Sequence, residues 1–312
     1  LEAPVTIRFD LQARPYVQAE TLSDAFCAEG WLHASHRLWQ MEMFRRAGEG
    51  RLDELLGKRM LDADRELWRI GVPQLAAQLE QNASPDLAKH VTAYVAGVNA
   101  AIESLPAAPP EFLLLQSEVE PWQAEDVYAL GALMAYQSAN NFRNELLRLA
   151  LREKLDEEQF AVFLTDHSQR GDFPFVLPPP DTVQPDVQIP AMHEVGGLRD
   201  IDAILDRLAA IDPADSALMP RCALGSNGWV VAPNKSVSGH ALFAFDSHDE
   251  LGVPNLFYEV HLFFGDGRQI RGWSVAGLPG VINGCNERIA WGFTNIGDTQ
   301  DLFLETRSTD DP

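Results

Sequence analysis

Apolar and polar positions alternate at the start of the chain. Val5, Ile7 and Phe9 are spaced by Thr6 and Arg8 and followed by Asp10, the period-two pattern of a half-buried strand. A second short strand, Tyr16 to Ala19, follows a turn. The period then lengthens. Phe26, Leu32, Leu38, Met41 and Phe44 recur at helical steps, opened by a capping-box pattern at Thr21 and Asp24 and fading at Gly48 and Gly50. A further helix spans about Pro85 to Ser104, with Val91, Tyr94, Val95 and Val98 on one side. The run APPEF (108–112) reads as a linker. After Pro121-Trp122, a helical stretch runs from Glu125 to about Lys154.

From Asp166 to Gly225 this periodicity breaks. Pro174, Pro178, Pro179, Pro180, Pro185 and Pro190 mark an extended, exposed segment, interrupted by one short amphipathic helix from Leu198 to Ile211. After Ser226 the pattern is that of strands, at 228–232, 240–246, 256–265, 269–276 and 287–295. Helices first and strands later predict an α+β fold. Three regions follow: a helical region over 1–165, a proline-rich spacer over 166–225 and a β-rich region over 226–312. There is no internal repeat. No strand runs into a glycine-rich phosphate loop, which removes a nucleotide-binding reading.

Charge and composition narrow the partners. The net charge of −22 opposes binding to nucleic acid or anionic lipid. No stretch reaches the ~18 apolar residues of a membrane span. Cys27, Cys222 and Cys285 make no Cys-x-x-Cys pair and no disulfide framework, so the redox compartment stays open. No signal peptide is visible at Leu1.

Candidate chemistry gathers at Gly225-Ser226, directly before the first strand of the β-rich region. Taken alone, this dipeptide is the ordinary composition of a turn. A hairpin turn centred near Ser236 places Asp246 opposite Ser226 and brings His248 near the hydroxyl. Serine needs a base to act as a nucleophile. Cleavage of the Gly225–Ser226 bond would supply one, an α-amine of pKa ~7.7–8.0. The Ser226 hydroxyl can attack the Gly225 carbonyl, giving an ester that water opens, and glycine tolerates the backbone geometry this needs. The spacer upstream gives the cut an exposed setting.

Four stretches in this order resemble the penicillin acylases of the N-terminal nucleophile (Ntn) hydrolases. They are DAFCAEGWLHASHRLWQMEMFRRAGEGRLDELLGK (24–58), EPWQAEDVYAL (120–130), GSNGWVVAPNKSVSGHALFAFDSH (225–248) and NERIAWGFTNIGDTQDLFLE (286–305). The resemblance implies an αββα sandwich, self-cleavage after Gly225 and an α/β heterodimer from one precursor. It implies Ser226 as nucleophile, followed by the family's usual asparagine at Asn227. His248 matches a position that is histidine in acylases of cephalosporins and N-acyl homoserine lactones. The Asn295 backbone N–H matches half of an oxyanion hole, a preorganised donor worth several kcal/mol. The other half, a side-chain asparagine, lies beyond Pro312 in the family, so the 312 residues read as the first part of a longer enzyme.

The implied substrate is a small-molecule N-acyl amide of the β-lactam or N-acyl homoserine lactone type. Phe142 and Trp229 are candidates to line the acyl pocket, with core packing as the alternative. The loop GDTQDLF offers Asp298 and Asp301, hard oxygen ligands that suit Ca²⁺, with solvated loop carboxylates as the alternative. The resemblance adds Glu145 and the Gln300 carbonyl, giving one structural calcium ion, and a periplasmic or secreted location. The competing class is a non-catalytic calcium-binding scaffold that keeps the fold without cleavage. Glu29, His33 and His36 share a helix face, which reads as a metal site or as a partly buried helix face. Phe257, Tyr258, Phe263 and Phe264 read as core or as an acyl-chain surface.

Overall fold

The computed structural model describes residues 1–138, 151–152, 154–157, 159–160, 226–248 and 252–294. The elements below belong to one compact unit; the described residues between 151 and 160 belong to a second.

The chain opens with β1 (Thr6–Phe9) and β2 (Pro15–Ala19), paired antiparallel with Thr6 opposite Gln18. Asp10 closes their turn, accepting from the backbone N–H of Gln12 and of Arg14. β1 forms the sheet edge; the expected half-buried alternation holds at Val5 and Ile7, while Phe9 is 49% exposed. Helix α1 (Leu22–Glu49) starts where its cap pattern predicts: Thr21 Oγ1 accepts from the Asp24 N–H at 3.1 Å and donates to the Asp24 carboxylate at 2.9 Å. It stops at Gly50, whose φ of 65° is cheap only for glycine. Arg37 interrupts the helix with a non-helical φ of −139°.

Four short elements follow: α2 (Asp53–Leu56), a 3₁₀ turn at Lys58–Met60, α3 (Leu61–Ile70) and α4 (Val72–Gln81). α5 (Pro85–Glu103) begins with Pro85 in its first turn and Ser84 capping the Leu87 N–H. It crosses α1 at backbone contact. A Cβ on Gly30 would strike the Tyr94 carbonyl, and one on Gly97 the Cys27 carbonyl. The expected linker at 108–112 is instead the start of α6 (Pro110–Leu115), because proline is preorganised for a first helical turn. The fully buried Phe112 of α6 meets Trp39 edge-to-face at 5.2 Å. α7 (Ala124–Ser138) forms the first part of the helical stretch expected to reach Lys154, and residues 151, 152 and 154 are helical as well.

Charged groups lie within this helical layer. Glu42, 1% exposed, bonds the guanidinium groups of both Arg45 and Arg46 at 2.6 Å. Arg45 also reaches Asp126 of α7, and Arg46 reaches Glu54 of α2.

The β-rich part holds β3 (Ser226–Val231), β4 (Leu242–Ser247), β5 (Phe257–Phe264), β6 (Arg268–Val275), β7 (Asn283–Cys285) and β8 (Ala290–Trp291). Among the described residues, six strands form one sheet in the order β1-β2-β5-β6-β7-β8. Only β2 and β5 run parallel within it. β5 alternates strictly: Tyr258, Val260, Leu262 and Phe264 are buried, while Phe257 and Phe263 are half-buried on the opposite face. The pleat therefore splits the aromatic stripe, and Tyr258 and Phe264 join the core with α1 and α5. β3 and β4 form a separate two-stranded sheet. The α+β class read from the sequence holds. A helical layer on a sheet, two of the layers expected of an αββα sandwich, is in place.

Candidate active site

Ser226 is the first residue of β3, with the turn from Pro233 to Gly239 leading into β4. Ser226 faces Ser247, and Asn227 faces Asp246. The register is thus one residue longer than arithmetic about Ser236 gives. The turn supplies the extra residue: a 3₁₀ turn at Pro233–Lys235, then Gly239 at φ 70°.

That shift decides which side chains meet. Side chains alternate across a strand, and cross-strand partners share a face. Ser226, Gly228 and Val230 share one face with Phe243, Phe245 and Ser247. Asn227 and Trp229 share the other with Ala244 and Asp246. His248 joins this second face. Its Nε2 lies 2.8 Å from the Asn227 carboxamide nitrogen and 3.2 Å from Asp246 Oδ2. His248, expected near the serine, engages Asn227 and Asp246. Trp229, on that same face, is 56% exposed.

The serine face meets a different neighbour. A Cβ on Gly292 would lie 2.5 Å from the Phe245 ring, so the ring packs directly on this glycine. Residues 291–293 are pinned from behind, by the Trp291 indole N–H donating to the Val281 carbonyl and by the Phe293 N–H donating to Asn283 Oδ1 at 3.0 Å. The hairpin face that carries Ser226 is thus held against the segment leading to Asn295. Gly225, Phe142, Glu145, Asn295, Asp298, Gln300 and Asp301 lie outside the described residues. Sequence reasoning placed Asp246 opposite Ser226 without giving it a role, and gave none to Asn283 or Gly292. Of these, only Asp246 left a signal, its place two residues before His248.

The helix-face histidines have other work. Ser274 donates its one proton to the Tyr258 carbonyl at 2.8 Å, so at 2.9 Å it must accept from His33 Nε2. His33 Nδ1 then accepts from the Tyr94 hydroxyl at 2.7 Å, and the Tyr94 oxygen accepts from the Gly277 N–H. Burial, with Arg37 and His36 nearby, lowers the His33 value from 6.5 to about 3, so the ring is neutral. Glu29 accepts from the Gly280 N–H, and burial pushes its carboxyl well above the usual range. His36 bonds the Tyr258 hydroxyl at 2.8 Å. Both His33 nitrogens are committed, and the described residues hold no group of three or more His, Cys, Asp or Glu fit for a metal ion. The helix-face reading prevails. A cavity of about 450 Å³ lies elsewhere, lined by Glu49, Arg51, Trp68 and Gln74, and contains none of the hairpin residues.

The penicillin amidase family model matches residues 4–312. The chain belongs to the penicillin amidase family. It is 34% identical over 311 residues to acyl-homoserine lactone acylase QuiP of Pseudomonas aeruginosa, an alignment covering 96% of this chain and 34% of that protein. It is 30% identical to penicillin acylase 2 proenzyme of Pseudomonas sp. strain SE83, covering 99% of this chain and 38% of that protein. Among solved structures, a thermostable penicillin G acylase from Alcaligenes faecalis aligns with a TM-score of 0.48 at 22% identity, over 57% of this chain and 98% of that one. This penicillin amidase family chain spans about a third of the length of the curated relatives it matches. No helix among its described residues is long and apolar enough to cross a membrane.

Proposed function

We propose that this chain is part of an autoprocessing amidohydrolase that cuts the amide bond of N-acyl substrates with an apolar acyl group, N-acyl homoserine lactones foremost. The observation that carries the reading is the placement of Ser226: it begins β3, on the hairpin face packed against Gly292. The chemistry starts with attack of the Ser226 hydroxyl on the Gly225 carbonyl, which moves the acyl group from nitrogen to oxygen. Water opens that ester and frees the Ser226 α-amine, leaving two chains that stay together as an α/β heterodimer.

In turnover the α-amine takes the Ser226 hydroxyl proton as the oxygen attacks the substrate carbonyl. The Asn295 N–H stabilises the oxyanion, since a fixed dipole aimed at developing charge needs no reorganisation. The substrate amine leaves with the proton, and water then hydrolyses the acyl ester. Phe142 and Trp229 would contact the acyl chain. The fold would be held by one Ca²⁺, through Glu145, Asp298, the Gln300 carbonyl and Asp301; hard oxygen donors on a loop suit that ion. A periplasmic or secreted location accords with an acylase of extracellular signals.

The names of the relatives favour N-acyl homoserine lactone over penicillin G, as does histidine at position 248. The test is to mix full-length protein with an N-acyl homoserine lactone, quench in acid and weigh the chain that begins at Ser226. Added mass equal to the acyl group, together with release of free homoserine lactone, is the expected result. Release of the amine with no acylated intermediate under any quench time, or no hydrolysis of any N-acyl amide, rejects the mechanism.

A further inference from the structure

Three polar side chains of the hairpin meet at one nitrogen. Asn227 and Asp246 are direct cross-strand partners, and His248, two residues beyond Asp246, returns to their face. The His248 Nε2 atom lies within hydrogen-bond distance of both the Asn227 carboxamide and the Asp246 carboxylate. One imidazole nitrogen either carries a proton or offers a lone pair. A lone pair on Nε2 suits a donating Asn227 N–H but sets an acceptor against the Asp246 oxygen at 3.2 Å. A proton on Nε2 serves Asp246, and Asn227 then turns its carboxamide oxygen to the same proton, an exchange of ends that its shape permits. Only the second arrangement satisfies all three groups.

We infer that Asp246 is a positioning residue: its carboxylate holds the neutral His248 ring as the Nε2–H tautomer and so makes Nδ1 the ring nitrogen that carries the lone pair. Asn227 cannot do this alone, because a carboxamide has a donor end and an acceptor end and accommodates either tautomer. The carboxylate accepts only, so it discriminates. The unprotonated Nδ1 is then the acceptor that this tautomer offers to a group arriving at the site. Asp246 acts through His248 and need not touch the substrate. The catalytic consequence rests on the amidohydrolase reading; the tautomer does not.

Ring-¹⁵N labelling of histidine in the full-length protein reads the tautomer, with His248→Gln used to assign the signal. The expected spectrum shows Nε2 protonated and Nδ1 unprotonated in the wild type, a mixture in Asp246→Asn, and the wild-type pattern in Asp246→Glu, which keeps a carboxylate. With an N-acyl homoserine lactone, Asp246→Asn lowers kcat by about tenfold or more, as a misplaced tautomer does in other hydrolases, and leaves KM within about twofold. Asp246→Glu recovers most of kcat. A wild-type ring protonated on Nδ1, or an Asp246→Asn spectrum identical to wild type, overturns the assignment whether or not substrate is turned over. A wild type that hydrolyses no N-acyl amide sinks the amidohydrolase reading instead, and the spectra still decide the tautomer.

Discussion

Gly292 lies against the ring of Phe245, so close that a single added Cβ would come within 2.5 Å of it. This contact joins the Ser226 face of the hairpin to the segment that leads to Asn295. Gly292→Val should therefore force the hairpin away. Overpacking of this kind costs about 1–3 kcal/mol. Urea unfolding should show that loss, and cleavage after Gly225 should be slowed in the same variant. Wild-type stability with wild-type cleavage would remove this contact from the account.

Glu42 should be among the costliest single losses in the helical layer. It is buried and bonds two buried guanidinium groups, each at 2.6 Å. Removing one partner of a buried ion pair costs about 3–5 kcal/mol; because Arg45 keeps Asp126 and Arg46 keeps Glu54, the loss falls at the low end of that range. Glu42→Ala should lose that much in urea unfolding of the full-length protein, whereas Asp62→Ala, which removes a carboxylate paired at 3.5 Å with an exposed arginine, should lose under about 1 kcal/mol.

His33 gives stability a pH dependence of known sign. Burial holds its folded value at about 3, below the ordinary 6.5. Between those values the unfolded chain binds a proton that the folded protein does not. Stability from this group is full above about pH 6.5 and falls as pH drops toward about 3, at up to about 1.4 kcal/mol per pH unit. Glu29, pushed upward by burial, has the opposite sign: its contribution is lost as pH rises above the ordinary carboxylate range. The difference between wild type and His33→Gln isolates the histidine. That difference should shrink steadily from pH 6.5 to pH 4 in urea titrations; a constant difference would mean that His33 is not held neutral.

Calcium removal tests the proposed loop site. A bound ion at a hundredfold its dissociation constant stabilises by about 2.7 kcal/mol. Excess EDTA should lower the melting temperature of the wild type, calcium but not magnesium should restore it, and Asp298→Ala should be insensitive to both. An unchanged wild-type melting temperature removes the ion from the account.

What the sequence revealed follows from where the deciding forces act. α1 and α5 were legible because their caps are local: Thr21 with Asp24, and Ser84 before Pro85. The start of α6 was hidden by the Pro109-Pro110 pair, which reads as a breaker although Pro110 begins the helix. β7 was missed because Asn283-Gly284-Cys285 has turn composition; it pairs with β6 only because Gly272 and Gly284 let two backbones approach. The parallel pairing of Tyr16 with His261 has no local signal at all. At the site, Ser226 and His248 stood out by type and spacing, and Asn227 through the family resemblance. The role of Asp246 did not, because it depends on a one-residue register fixed by the turn at Pro233–Lys235.

The central claim is that Ser226 is freed by its own attack on Gly225. Denaturing mass spectrometry of the full-length protein tests it most directly. The account predicts two chains dividing between Gly225 and Ser226 in the wild type, and one uncut chain in Ser226→Ala. A wild type that stays intact after long incubation, or a Ser226→Ala variant that still divides at this bond, would contradict it.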